Sequence, residues 1–157
     1  MKKKFRFRST LTPWLLLLAF AAVSACSSNQ VTTGLIDNRL APCPDSPNCV
    51  SSDATDEVHR VEPYRLKAPA QDAWHGLQNV VAAEQGIRLV EANDSYLHVE
   101  VRSAILRFID DTEFQLRASE GIIAVRSAAR TGYNDTGVNR KRVERIREAL
   151  RARGLVE

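Results

Sequence analysis

Three carboxylates crowd a four-residue window at Asp110, Asp111 and Glu113, and Arg126, Arg130 and Arg140 follow downstream. Neighbouring carboxylates can bind a divalent cation or share a proton in acid–base chemistry. They can equally pair with the arginines, because a bidentate guanidinium suits a carboxylate and a partly buried charge must find a partner. Structural pairing is the favoured reading, a polar ligand pocket comes second and catalysis third.

Between Arg130 and Arg140 runs a polar loop containing Tyr133, Asp135, Asn139 and two glycines. Asp135, Thr136 or Asn139 can cap the helix that follows, whose first amides need acceptors. A helix start flanked by arginines also suits a phosphate or carboxylate, and the two roles are compatible. Within that helix Arg140, Lys141, Arg142, Arg145, Arg147, Arg151 and Arg153 face only Glu144 and Glu148. Such a run is ordinarily a solvated face; in a cell envelope it also suits lipid head groups, lipopolysaccharide phosphates or an acidic protein surface. No aromatic residues interleave it as in a single-strand binder, and no nucleic-acid partner is expected.

The standard catalytic motifs are missing. There is no phosphate-cradling glycine loop, no Gly-x-Ser-x-Gly elbow and no two-histidine metal helix. The histidines, His59, His75 and His98, are scattered, and Ser127 has none near it in sequence. No cofactor or metal is expected. The alternative to a binding module is a periplasmic, hydrolase-like enzyme, cation-assisted or not, using Asp110, Asp111 and Asp135.

Location is easier to read. Lys2, Lys3, Lys4, Arg6 and Arg8 precede an apolar run from Trp14 to Val23, which ends in Val23-Ser24-Ala25-Cys26. The run falls short of the about 20 residues a spanning helix needs, so residues 1–25 read as a secretory signal. The cysteine after Ala25 resembles a bacterial lipobox, in which the Cys26 thiol takes a diacylglyceryl group before cleavage and the new amino terminus is acylated. Two or more acyl chains anchor firmly in a membrane. Ser27, standing where aspartate would retain an enteric lipoprotein in the inner membrane, points to the outer membrane, facing the periplasm. Residues 1–25 hold five of the 22 Lys and Arg and none of the 19 Asp and Glu, so 17 bases against 19 acids leave the mature chain at −2. Its overall charge gives no reason to expect nucleic acid.

Cys43 and Cys49 remain after lipidation, an even number in an oxidising compartment. The turn formers Pro44-Asp45-Ser46-Pro47-Asn48 let the chain double back between them, and a disulfide is the favoured reading. A metal pair or redox-active thiols are the alternatives.

The elements that must position these residues follow from periodicity. Residues 26–41 read as a lipidated tether and 42–157 as one α+β domain. Pro69 opens a helix with Ala73, Trp74, Leu77, Val80 and Val81 on one stripe, which Gly86 ends. Ile87 to Ala92 and Tyr96 to Arg102 alternate as strands, with His98 facing outward. Leu106 to Ile109 is a short apolar run that Asp110-Asp111 interrupts. Thr112 to Leu116 and Ile122 to Ala128 form a hairpin, and Asn139 to Arg153 a helix with Val143, Ile146 and Leu150 as its seam. The expected architecture is an antiparallel sheet of about four strands with two main helices on one face.

Two stretches together resemble a known family. Cys43-Pro44-Asp45-Ser46-Pro47-Asn48-Cys49-Val50-Ser51-Ser52 is similar to its amino-terminal signature. Arg107-Phe108-Ile109-Asp110-Asp111-Thr112-Glu113-Phe114 and Arg126 through Glu144 are similar to its carboxy-terminal one. The family is the domain-of-unknown-function 1499 family, seen in bacterial envelope proteins and plastids. The resemblance covers Pro42 to the carboxy terminus and implies a domain boundary but no activity. Ala129 replaces the second serine of the family's Arg-Ser-Ala-Ser-Arg, so no chemistry can rest on that hydroxyl here. The expected function is a lipid-anchored envelope module for binding or interaction, with an anionic ligand or an envelope protein as its partner.

Overall fold

The computed structural model of the chain describes residues 32–103 and 107–157. The signal at 1–25, Cys26, the first part of the tether and Leu106 lie outside the described residues.

Period-two alternation builds the centre of the molecule. β5 (Ile87–Ala92), β6 (Tyr96–Arg102), β7 (Ile109–Arg117) and β8 (Ile122–Ala129) form consecutive antiparallel hairpins. A single 3-10 turn, Ala118–Glu120, joins β7 to β8, and Gly121 closes it at φ 66°, a left-handed conformation that glycine adopts without a Cβ clash. Asp110 and Asp111 do not break the run; both lie within β7.

The fold is α+β with two helices, as expected, but the main sheet has six strands rather than about four. The two additions are β3 (Cys49–Ser51) and β4 (Tyr64–Arg65), which lie end to end along one edge of β8. At three and two residues they are too short to show an alternation. Two more short strands, β1 (Leu35–Ile36) and β2 (Arg39–Leu40), form a separate hairpin within the stretch read as tether. Its turn residues Asp37 and Asn38 sit at φ 50° and 59°, as a two-residue hairpin loop requires. Leu40 and Ala41 are buried, so this hairpin is a strap packed onto the body rather than a free linker.

Helix α1 (Ala70–Ala82) starts after Pro69, with Asp72 in its first turn where the helix dipole favours a negative charge. Its buried stripe is Ala73, Trp74, Leu77, Val80 and Val81. Helix α2 (Val138–Arg151) buries Val143, Ile146 and Leu150. Both pack on one face of the sheet, against Leu97, Val99, Val101, Phe114, Leu116, Ile123 and Val125. Trp74 is part of this core, and its Nε1–H donates to the Asn93 carbonyl at 3.3 Å. Among the described residues no helix is long and apolar enough to cross a membrane.

Candidate functional site

Alternation sends His98 and Glu100 of β6, Asp111, Glu113 and Gln115 of β7 and Arg126 of β8 to the face away from the helices, and there they are also buried. Its first cluster centres on Glu113. The register pairs Glu113 with Arg126, whose Nη1 donates to Oε2 at 2.7 Å with neither side chain exposed. The other carboxylate oxygen accepts the Tyr96 hydroxyl and the Gly34 amide, each at 2.6 Å. Burial, then the hydrogen bond to Glu113, pushes the Tyr96 phenol well above its usual range, which keeps it a donor. Arg126 Nη2 reaches the Pro42 carbonyl at 3.4 Å, while Nε finds no partner among the described residues. The strap therefore supplies one ligand to each member of the ion pair. It is held further by Asp53, which accepts the Leu40 amide and a bidentate grip from Arg117 at 2.7 and 2.5 Å.

One row along the same face lies a second cluster. Arg130 clamps Asp111 through Nε and Nη2, both at 2.7 Å, and donates to Glu100 at 2.6 Å. His98 Nε2 shares a 2.7 Å hydrogen bond with Asp111 Oδ1, and Arg88 Nε donates to Glu100 at 2.7 Å. Burial raises the Asp111 carboxyl, but Arg130 and His98 outweigh it and lower the group to about 2.

Asp110 is next in sequence and on the opposite face. There it accepts Arg142 Nη2 at 2.6 Å beneath α2. Arg142 also donates to Ser127 Oγ at 3.0 Å and to Asn139 Oδ1 at 2.5 Å. Thr112 and Ser127 share a 2.9 Å hydrogen bond, and Asn139 returns its amide to the Asn48 carbonyl at 3.2 Å. Ser127 is thus fully engaged as a structural hydroxyl.

The Arg130–Arg140 loop ends by capping α2. Asp135 Oδ2 accepts the Asn139 amide and Asn139 Nδ2, both at 2.8 Å, and Oδ1 accepts the Gly137 amide at 2.9 Å. Tyr133 is 73% exposed and projects from the loop. Arg140 donates to the carbonyls of Arg60 and Val58 at 2.7 and 2.8 Å. It borders a cleft of about 570 Å³ between the 57–62 segment and α2, where Arg60, Arg147 and Arg151 face Glu57, Glu62 and Glu144. Much of the helix's positive run is engaged inside the molecule. Arg142 and Arg147 are buried, Arg145 pairs with Glu84 at 2.5 Å, and Arg147 pairs with Glu144 at 2.9 Å while stacking on Tyr64.

The nine polar residues singled out from sequence therefore occupy four surroundings. Glu113 and Arg126 share one; Asp111 and Arg130 another; Asp110, Asp135 and Asn139 meet around α2; Tyr133 and Arg140 lie outward. Asp110 and Asp111 cannot share a ligand, because successive strand residues point to opposite faces. Among the described residues no three His, Cys, Asp or Glu side chains converge as metal ligands would. Cys43 and Cys49 are disulfide-bonded, with Cα atoms 5.7 Å apart. Sequence reasoning missed Tyr96, Asn48 and Asp53 as site residues, read Arg142 as part of the helix's outward positive run, and placed His98 outward rather than against Asp111. The residue pairing of β6 with β7 would have found His98 and Tyr96, since it sets both beside the acidic strand.

The family model described as "Protein of unknown function (DUF1499)" matches residues 39–150. No curated protein and no solved structure matches the chain.

Proposed function

The chain belongs to the DUF1499 family of unknown function, and from that premise we propose a lipid-anchored envelope protein whose domain is a binding module for an anionic group. One contrast carries the reading. Asp110, Asp111 and Glu113 are each neutralised by an arginine, and Asp135 caps a helix, which suits a rigid scaffold better than a set of reactive acids. Arg140, by contrast, is held among the described residues only by neutral carbonyls at the rim of an open cleft, so its charge stays available to a phosphate or carboxylate.

Anchoring through Cys26 to the outer membrane, facing the periplasm, is part of the proposal and rests on the lipobox resemblance and Ser27. Two experiments test the two parts. Intact mass of the membrane-extracted protein should show cleavage before Cys26 and added acyl chains, and Cys26→Ala should release the chain from membranes. Inorganic phosphate, compared with chloride at equal ionic strength, should raise the melting temperature, and Arg140→Ala should abolish that rise. A phosphate effect that survives Arg140→Ala would remove the cleft from consideration.

A further inference from the structure

β5 is the outer strand of the sheet, pairing only β6 among the described residues. It carries neither proline nor lysine, the usual guards of an edge, and leaves Leu89 59% and Val90 43% exposed. The register shifts between Leu89 and Glu91, so Val90 is the extra residue of a β-bulge. That bulge has a geometric result. Residues three apart on a regular strand point to opposite faces, but here Arg88 pairs with Glu100 and Glu91 with His98, which puts Arg88 and Glu91 on the same face.

We propose that β5 is a homodimer interface, at which two copies join edge to edge in antiparallel register about a two-fold axis at Leu89. An axis perpendicular to the sheet keeps each face on its own side. It sets Arg88 of one copy opposite Glu91 of the other, twice over, and Ile87 opposite Ala92. Such opposite-charge pairs stabilise a ladder, whereas like charges there oppose it. The free backbone groups agree with this register. Arg102 N donates to Gly86 O and Asn93 N to Tyr96 O, both at 2.9 Å, so alternation turns Gly86, Arg88, Glu91 and Asn93 toward β6. Ile87, Leu89 and Ala92 then point their amides and carbonyls outward, at the positions that must bond across the axis. Leu89 packs on its own copy, which removes the more exposed of the strand's two large exposed apolar side chains from water.

The full-length chain, extracted in mild detergent, should show a protein mass of two copies by light scattering. Glu91→Arg or Arg88→Glu should each weaken association roughly tenfold by setting like charges opposite one another. Mixing the two variants should restore the dimer, since every unlike contact again places an arginine against a glutamate. Glu91 is exposed, so Glu91→Arg tests the interface even where Arg88→Glu disturbs the Glu100 pair. In intact cells, Leu89→Cys should cross-link copy to copy on oxidation, and Glu148→Cys on α2 should not. A monomeric parent chain, or a dimer indifferent to Glu91→Arg and not cross-linked at position 89, would overturn the proposal.

Discussion

Glu113 and Arg126 face each other across β7 and β8 at 2.7 Å, both fully removed from solvent. Desolvating two charges is costly, and the pair is tolerable because Tyr96 and Gly34 complete the carboxylate. Arg126→Met should therefore cost about 3–5 kcal/mol by leaving a buried carboxylate uncompensated, whereas Glu113→Leu with Arg126→Met should recover most of it. Urea unfolding of Arg126→Met, Glu113→Leu and the double variant checks this; a double cost equal to the sum of the two single costs would show that the charges are not coupled.

The Asp111 cluster makes stability depend on acid. Its carboxyl falls from 3.8 to about 2 in the fold, so its contribution is complete above the unfolded value and is lost as pH drops through the folded one. Arg130 is 38% exposed, and solvent screening discounts the effect to roughly 1–2 kcal/mol. Asp111→Asn should flatten the stability profile between about pH 4 and pH 2, measured by denaturant midpoints across that range.

Legibility in the sequence followed the kind of burial. β5 and β6 were readable to the residue because turn formers separate them and apolar and polar residues alternate along β6. The buried stripe of α1 was readable because it is wholly apolar, but the helix ends at Ala82, ahead of the Gly86 expected to stop it. β7 misled because both its faces are buried and one is polar, so Asp110-Asp111 looked like an interruption. Hydropathy reports burial only where burial is apolar. The strap offers a different signal, the Asp37-Asn38 pair between Leu35-Ile36 and Arg39-Leu40, which is weak without knowledge of the surface beneath it. The site residues were legible as types, but their grouping required strand register, which places Asp111 and Glu113 with arginines from different parts of β8 and its following loop.

The disulfide closes a short loop beside Asn48, whose side chain donates to the Gly132 carbonyl at 2.5 Å. In the chain-entropy model, opening a loop of this size costs about 2 kcal/mol. Cys43→Ser with Cys49→Ser should lower the unfolding free energy measured in urea by that amount, and reductant should lower the parent's equally while leaving the variant's unchanged.

Asp135 accepts three hydrogen bonds at the start of α2. Asp135→Ala should cost about 1–2 kcal/mol, the range of a lost helix cap, and should loosen the amides of the first turn in hydrogen exchange. An unchanged melting temperature would mean that water replaces the cap at no cost.

The strap also decides how the domain meets mechanical force. A pull applied ahead of residue 32 first meets the Gly34–Glu113 and Leu40–Asp53 contacts. It then crosses the covalent link from Cys43 to Cys49, which bypasses the intervening loop. The load arrives at Cys49, the first residue of β3, which pairs with β8 over three residues. Traction from that end is thus delivered to the sheet through β3 and, through the Asn48–Asn139 contact, to the start of α2.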